Sequence, residues 1–438
     1  MTATATTRAA NWQTHFFSFW TGQAVSLFGT ALVQFAIVWW LTTRTHSATV
    51  LATATLAGVL PGVILAPAAG VWVDRWNRRW IMILSDALVA LASVVLIILF
   101  VLGAAQVWEI YIILFIRSAG NAFQYPAMQA STSLMVPEAQ LSRVAGFNQT
   151  LQGAMNIVAP PVGALLLQTI PLQAILSIDV ITALLGIAPL FFVHVPQPAP
   201  RAEAGTAGAA ARPAFWPEMA AGLRYVLAWP GLLLLASMAL LLNLIFSPTG
   251  ALLPILVTKH FGGGALQLAS LDSAEGIGLI AGGLLLGMWG GFRKRIYTSL
   301  MGVIGLSLGI GLLGLLPANL FWLAAGAMFM VAVMQVMANG PIMAVLQATV
   351  APDMQGRVFS LVTALATAMV PLGLLLAGPL ADAFGVQSWY GIACLGGLAI
   401  GVAGCFMPAL VHLEDQAAAR SVPAAAVGAP ALAPGETS

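Results

Sequence analysis

The chain has 438 residues, of which 60% are hydrophobic and only 7% are charged. A soluble protein of this length needs far more charge on its surface, so the composition excludes the ordinary soluble classes and predicts a multi-pass membrane protein. The formal net charge of +2 does not indicate nucleic-acid binding, because the basic residues stand in short links between apolar segments. The lipid bilayer is therefore the first expected partner.

Apolar runs of about 20 residues or more, separated by Gly, Pro and charged residues, predict twelve membrane spans. Their approximate limits are 14–42, 48–73, 80–103, 107–135, 142–169, 173–194, 231–258, 266–290, 296–316, 319–349, 358–381 and 389–411. The stretch 196–214 is rich in Ala, Pro, Gly and Arg, which is typical of a flexible linker, and residues 215–229 suit an amphipathic helix on a membrane surface.

The predicted fold is an all-α membrane protein with two pseudo-symmetric six-helix bundles. We divide the chain into an N-terminal tail (1–13), a first bundle (14–195), a linker with its amphipathic helix (196–230), a second bundle (231–411) and a disordered C-terminal tail (412–438). Basic residues set the orientation, because they favour the cytoplasmic links. Thirteen fall on one side and Arg44 and Lys259 on the other; the thirteen are Arg8, Arg75, Arg78, Arg79, Arg143, Arg201, Arg212, Arg224, Arg293, Lys294, Arg295, Arg357 and Arg420. Both tails and the linker are therefore expected in the cytoplasm.

A charged hairpin lies between the second and third spans: Gly70-Val71-Trp72-Val73-Asp74-Arg75-Trp76-Asn77-Arg78-Arg79. Asp74 stands at the C-terminal end of its helix, where an acid is disfavoured unless a cation or another helix N-terminus faces it. We therefore interpret the hairpin as half of a latch that meets the start of the eleventh span, near Arg357. The second half repeats the hairpin at 287–295 without the acid, since Gly291 stands in its place.

Polar residues within spans usually face a bundle interior or a watery cavity, so their positions indicate a pathway. They form stripes on single helix faces, mainly in the first, fourth, fifth, seventh and tenth spans. The predicted cavity residues are Gln23, Ser26, Thr30, Gln34, Asn121, Gln124, Asn148, Gln152, Asn156, Asn243, Gln335 and Asn339. Hydrogen bonding that only joins helices is the alternative for each of them.

Five ionisable residues within the spans are candidates for proton coupling: Arg117, Glu275, Asp272, Asp86 and Asp179. Arg117 is deep enough in its span to require a partner or a wet cavity. Glu275 is our preferred proton carrier, with Arg117 balancing charge in the other half, while an interfacial or structural pair is the alternative for Asp86 and Asp179.

The fifth span contains Pro160, Pro161 and Gly163, which predict a kink that acts as a hinge or is merely tolerated. The histidines are scattered, both cysteines lie in the last apolar run, and no nucleotide-binding, metal-binding or catalytic motif occurs. We therefore expect no enzyme activity, cofactor or metal.

The hairpin from Gly70 to Arg79, its position and the six-plus-six spans resemble the major facilitator superfamily over about residues 12–412. The links Pro137-Glu138 and Pro352-Asp353-Met354-Gln355-Gly356-Arg357 are similar to its macrolide-efflux and siderophore-export branch. The resemblance implies a proton-driven exporter that works by alternating access. It also implies a coupling role for Arg117, which Gly120 follows, and an antiporter motif at Ala159-Pro160-x-x-Gly163-Ala164; Asn121 and the two alanines depart from the family pattern.

We therefore expect a multi-pass plasma-membrane transporter, a monomer, that exports amphiphilic small molecules such as macrolide-like or other drugs in exchange for protons. Export of a siderophore or another metabolite is the alternative within this class. A membrane sensor or scaffold that transports nothing is the alternative outside it.

Overall fold

The computed structural model describes residues 12–193, 197 and 215–415, and every regular element among them is helical. The first half contains six long helices: α1 (Trp12–Thr45), α2 (Ala48–Arg75), α3 (Arg78–Val101), α4 (Val107–Met135), α5 (Leu141–Thr169) and α6 (Leu172–Phe192). The helix α7 (Phe215–Leu227) precedes the second half. That half contains α8 (Pro230–Ile255), α9 (Ala265–Trp289), α10 (Arg295–Leu315), α11 (Phe321–Thr349), α12 (Pro352–Phe384), α13 (Val386–Phe406) and the short α14 (Pro408–Val411). The prediction of an all-α membrane fold is confirmed.

Eleven of the twelve long helices are apolar and long enough to cross a membrane. The exception is α4, which is as long as its neighbours but less apolar. It carries Glu109, Arg117 and several amides. The second bundle also continues further than predicted, because Leu413 is fully buried and the Glu414 carboxylate accepts a hydrogen bond from the Arg295 N–H. The predicted linker falls almost wholly outside the described residues, which resume at α7.

The long helices alternate in direction, so their links collect at two ends. We call the end with the α2–α3 and α9–α10 links the basic end, because Arg75, Arg78, Arg79 and 293–295 lie there. We call the opposite end, which has the α1–α2 and α10–α11 links, the closed end.

The two halves share one apolar core at the closed end and have separate cores at the basic end. The closed-end cluster joins first-half residues such as Phe35 and Leu51 to second-half residues such as Leu253 and Ala381. At the basic end, one cluster is built from first-half residues 19–193 and another from second-half residues 226–413. Burial of apolar surface between the halves is therefore concentrated at the closed end.

Hydrogen bonds between the halves follow the same division. Among the described residues, the Asp382 carboxylate of α12 contacts the start of α2, and the Ser273 hydroxyl of α9 donates to the Ile157 carbonyl of α5 at 3.0 Å. Both contacts lie toward the closed end. The molecule is consequently closed at that end, and the space between its halves opens toward the basic end.

The helix α7, which the sequence predicts as an amphipathic helix on a membrane surface, packs against the second half. Val226 and Trp229 are buried in the second-half cluster at the basic end. The Tyr225 hydroxyl accepts a hydrogen bond from the Ala351 N–H at 3.3 Å, and Gly222 lies against the Arg357 carbonyl. This helix therefore supports the start of α12.

Candidate functional site

An ion pair lies inside the first half. The Arg117 Nη1 of α4 donates to the Asp179 Oδ2 of α6 at 2.5 Å, and the two side chains are 4% and 0% exposed. The Ser93 hydroxyl of α3 lies between them and donates to the same carboxylate oxygen at 2.6 Å, while the Thr30 hydroxyl of α1 donates to Asp179 Oδ1 at 3.2 Å. The partner that the depth of Arg117 requires is thus Asp179. The second nitrogen, Nη2, is buried without an acceptor among the described residues.

A second buried acid, Asp86, lies two turns from Ser93 along α3, nearer the basic end. Its Oδ1 accepts from the Gln124 Nε2 at 2.5 Å and its Oδ2 from the Gln23 Nε2 at 3.1 Å. The Ser26 hydroxyl is 3.5 Å away, and Gln124 also donates to the Gln23 carbonyl oxygen at 2.9 Å. Three side-chain donors therefore surround the buried Asp86 carboxylate and take the place of water.

These two clusters account for most of the polar stripe on α1. Gln23, Ser26 and Thr30 bind the buried acids inside the first half and do not line a cavity between the halves. Only Gln34, one turn further on, is exposed to such a cavity. Spacing alone places all four on one helix face, whereas the hydrogen bonds of the first three follow from the acids on α3 and α6.

The acids of the second half have a different setting. Asp272 and Glu275 lie one turn apart on α9 and line a cavity of about 360 Å³ toward the closed end. Gln34 and Phe35 of α1, Asn156 and Pro160 of α5, and Leu253 of α8 complete its walls, so both halves contribute. Neither carboxylate has a hydrogen bond or an ion pair among the described residues.

Glu275 also lines a cavity of about 420 Å³ within the second half. Its polar groups include the predicted Asn243 of α8 and Gln335 and Asn339 of α11. The hydroxyls of Ser247, Thr249, Ser299 and Tyr390 also line it. The remaining wall is largely apolar, with Met238, Leu242, Phe246, Leu300, Val303 and Met328 among its residues. Glu275 therefore stands where the two cavities meet.

A third cavity, of about 460 Å³, lies in the first half between α4 and α5. Asn121 and Gln124 line it from α4, and Asn148 and Gln152 line it from α5. The structure thus brings these four predicted residues together, with the Asn148 Oδ1 accepting from the Trp20 Nε1 at 2.7 Å.

The arginines of the basic hairpin hold the first half together. The buried Arg78 donates from Nη1 to the Ala130 carbonyl near the end of α4 at 2.7 Å, and Arg79 donates to the Phe191 carbonyl at the end of α6 at 2.8 Å. Cations at helix C-termini are favourable, so both arginines stabilise neighbouring helix ends. Arg75 is exposed.

The latch stays a prediction. Gly70 and Asp74 lie within α2, but the Asp74 side chain and the surroundings of Gly70 are outside the part that the structure describes. Arg357 lies one turn into α12, and its Nη1 is 3.8 Å from the Met354 sulfur. In the second half the backbone explains the missing acid: Gly291 has φ 81°, and a Cβ there would lie 2.7 Å from the Thr298 hydroxyl oxygen. An aspartate cannot take this position without strain.

The predicted hinge residues lie in an unbroken helix, because α5 runs through Pro160 and Pro161. Pro160 lines the cavity that contains the acid pair, and Gly163 is buried. Their role as a hinge stays a prediction. Within the described residues, no group of three or more His, Cys, Asp or Glu side chains is placed to hold a metal ion.

Sequence reasoning missed Asp382, which lies three residues from the end of α12. Its carboxylate accepts hydrogen bonds from the Ser47 hydroxyl at 2.7 Å, the Ala48 N–H at 2.8 Å and the Thr49 N–H at 2.9 Å. The available signal was an acid at a helix C-terminus, the same feature that singled out Asp74.

Comparison with known families decides the relationship. The Major Facilitator Superfamily model matches residues 19–373. The chain belongs to this superfamily. It is 36% identical over 380 residues to macrolide efflux protein A of Streptococcus pyogenes, covering 87% of this chain and 92% of that one. It is 27% identical over 405 residues to the multidrug efflux pump Tap of Mycolicibacterium fortuitum, covering 88% and 94%.

Among solved structures, a bacterial homologue of the iron transporter ferroportin in an inward-facing state superimposes with a TM-score of 0.69. The match covers 92% of this chain and 99% of that chain at 14% identity, which shows a shared fold. Membership of the Major Facilitator Superfamily makes this chain a multi-pass membrane transporter. Its substrate is consequently a small molecule that crosses the membrane.

Proposed function

We propose that this protein exports amphiphilic drug-like molecules in exchange for protons by alternating access. The observation that carries the proposal is the unpartnered acid pair, Asp272 and Glu275, in a cavity formed by both halves. Carboxylates enclosed among apolar groups without hydrogen bonds are unfavourable. They are therefore suited to take up and release protons as their surroundings change.

Coupling requires that a proton bind two conformations differently. The walls around Asp272 and Glu275 come from α1, α5 and α8 as well as α9, so separating the halves would expose the pair to water. Arg117 is already paired with Asp179 and does not act as a fixed counter-charge for Glu275 in this conformation. Glu275 is our preferred carrier because it borders both cavities, with Asp272 as its neighbour.

The walls of the second-half cavity favour an amphiphilic substrate. Aromatic, aliphatic and methionine side chains dominate there, and seven amide or hydroxyl groups are interspersed. Such a surface binds apolar ligands of varied shape, and methionine adapts to them easily. The macrolide and multidrug efflux relatives favour drug-like substrates over siderophores.

We propose that the basic end faces the cytoplasm of a cell whose plasma membrane holds the protein, with both termini inside. The described conformation would then be open to the cytoplasm. Ala104→Cys and Ala139→Cys test this orientation, since these exposed residues lie at opposite ends of α4. In a background with Cys394 and Cys405 replaced by alanine, an impermeant maleimide added to intact cells should label only Ala104→Cys; labelling of Ala139→Cys alone would reverse it.

The coupling test is Glu275→Gln in everted membrane vesicles energised by a pH gradient. We expect loss of uphill macrolide accumulation, while downhill exchange of substrate continues, because the variant cannot exchange a proton. The matched control is Glu109→Gln, which keeps a side chain able to cap α4. Accumulation by Glu275→Gln at the wild-type level would exclude Glu275 as carrier. Absence of protonophore-sensitive accumulation in the wild type would instead favour a sensor or scaffold.

We propose a monomer as the working unit, because both walls of the acid-pair cavity come from one chain.

A further inference from the structure

The first-half cavity has an unusual lining. Six side-chain amides border it: Asn121, Gln124, Gln129, Asn148, Gln149 and Gln152. No Asp, Glu, Lys or Arg is among the described residues that line it. The cavity is therefore neutral yet rich in hydrogen-bonding groups, in contrast to the largely apolar cavity of the second half.

Several of these amides have no partner in the protein. The side chains of Asn121, Gln149 and Gln152 make no hydrogen bond with any described residue, and all three are exposed and line the cavity. The Gln124 Nε2 is oriented by the Asp86 carboxylate and the Gln23 carbonyl oxygen, and its own Oε1 has no donor among the described residues. Both donors and acceptors are thus available to a ligand.

The chemistry of the lining defines the ligand. An amide offers a donor and an acceptor side by side, which matches a hydroxyl group, itself a donor and an acceptor. A charged ligand would require opposite charge, and none is present here. Leu27, Met128 and Leu151 and the ring of Tyr125 supply apolar surface between the amides. A sugar ring, with hydroxyl edges and apolar faces, satisfies both requirements.

We propose that this cavity is a subsite for a neutral glycosyl group carried by an amphiphilic substrate. The proposal rests on the drug-export function proposed above and adds a substrate class, the glycosylated amphiphile, to it. The volume of this first-half cavity, about 460 Å³, lies within the range of ligand sites, roughly 300–1,000 Å³.

The test uses two probes on protein in lipid nanodiscs: erythromycin, and its derivative that lacks only the neutral sugar cladinose. Both keep the same lactone and the same amine. We expect the wild type to bind erythromycin about tenfold more tightly, since each hydrogen bond to the sugar adds modestly to affinity. The double variant Asn121→Leu/Gln152→Met should bind both compounds with the Kd that the wild type has for the derivative without cladinose. Gln168→Met, the same change elsewhere on α5, should keep the difference.

Three results would overturn the subsite. One is equal affinity of the wild type for the two compounds, and another is an unchanged preference in the double variant. Equal weakening of both compounds by the double variant would assign the amides to general hydration of the cavity. If neither compound binds the wild type, the macrolide-like substrate class fails, and the subsite fails with it.

A separate observation concerns α2 and α12, which run antiparallel across the interface between the halves. Asp382, at the C-terminal end of α12, places its carboxylate on the first N–H groups of α2. These groups have no partner within their own helix, and the helix dipole favours a negative charge beside them. Close approach is possible because residue 378 is glycine: a Cβ there would lie 2.8 Å from the Thr49 Cα.

The same helix pair has a matching acid at its other end. Asp74 is the next-to-last residue of α2, and α12 begins at Pro352 on the same, basic end. Each helix therefore carries an aspartate at its C-terminus, and at the closed end that aspartate lies against the N-terminus of the other helix. We infer that Asp382 is a clasp that holds the closed end shut, and that it releases when Asp74 engages α12 in the opposite conformation. This inference rests on the alternating access proposed above.

The clasp can be measured as a distance. Spin labels at Thr43→Cys and Asn319→Cys, both exposed at the closed end in different halves, report its opening in the background without native cysteines. We expect Asp382→Asn to raise the ratio of open to closed populations about tenfold, because it loses the charge and at least one acceptor oxygen. Ser47→Ala removes one of the three bonds and should give a smaller rise. Asp415→Asn is the matched control at the basic end.

An unchanged distance distribution in folded Asp382→Asn protein would overturn the clasp, provided that the wild type shows two distances across pH and substrate conditions. If Asp382→Asn does not fold, an unchanged distribution in Ser47→Ala has the same meaning. A single distance in every condition, for all variants, would contradict alternating access itself.

Discussion

In the first half, Asp86 and Asp179 each accept several hydrogen bonds and Asp179 also pairs with Arg117, whereas in the second half Asp272 and Glu275 accept none from the described residues. A compensated charge stabilises one arrangement of helices, and removing its partner is costly. An acid without hydrogen-bond partners beside a cavity stabilises no particular arrangement of helices. The comparison suggests that the first half is a rigid frame and that the second half contains the group that exchanges protons.

Removal of Arg117 should give the largest effect. We expect Arg117→Met to lower the stability of the protein by about 3–5 kcal/mol, because the Asp179 charge would remain buried without a counter-ion. The measurement is thermal unfolding of purified protein in nanodiscs, alongside the amount of protein in the membrane.

The double variant Arg117→Met/Asp179→Leu tests the reason for that loss. It removes both charges, so it should recover most of the stability. A double variant as unstable as the single one would mean that Arg117 acts through packing and not through its charge.

Matched substitutions in the two halves sharpen the comparison. Asp86→Asn should destabilise the first half by about 1–3 kcal/mol, since its new NH₂ group faces the donors of Gln23 or Gln124. Asp272→Asn should leave the unfolding temperature unchanged or raise it, because it replaces a carboxylate that has no partner among the described residues with a neutral amide. Uphill export should fall in Asp272→Asn all the same. Equal destabilisation by both changes would remove the distinction between the halves.

Much of the fold could be predicted from the sequence, because span length, apolar composition and the positions of glycine, proline and charge are local properties. The six-plus-six helices and α7 follow from them. The partners of the buried acids could not be predicted this way. Whether Gln23 and Thr30 face a cavity or an aspartate depends on which residues of α3 and α6 pack against α1, and that is a long-range property.

Asp382 was missed for the same reason. An acid near a helix C-terminus is a local signal, but its significance depends on the N-terminus of α2, more than 330 residues away along the chain. At Asp74 the same local signal stands among arginines in the sequence, whereas Asp382 has no charged neighbours. The acid pair on α9 was predicted as a candidate from its depth, yet its position where two cavities meet required the packed helices.

The hairpins at the basic end differ as well, and Asp74→Asn tests that difference. If Asp74 latches onto α12 when the basic end closes, the variant should export several-fold more slowly at a normal amount of membrane protein. The second hairpin cannot compensate, because its Gly291 has a left-handed conformation beside Thr298. Transport at the wild-type rate would exclude the latch, and loss of membrane protein would assign Asp74 a structural role only.

The smallest effect is expected at the surface ion pair between Lys294 of the second hairpin and Asp415, which follows α14. Their charged atoms lie 2.8 Å apart, close to the separation of Arg117 and Asp179, but the side chains are 35% and 57% exposed. The hydrogen bond lowers the pKa of Asp415 and raises that of Lys294, so any stabilisation exists above the usual pKa of an aspartate and is lost as the pH falls. Water and salt screen such a pair, and its contribution is small. We therefore expect Lys294→Ala to unfold at the wild-type temperature at both neutral and acidic pH. A clear drop at neutral pH that disappears in acid would show that exposure does not separate the two ion pairs, and the contrast between buried and surface charge in this protein would need another cause.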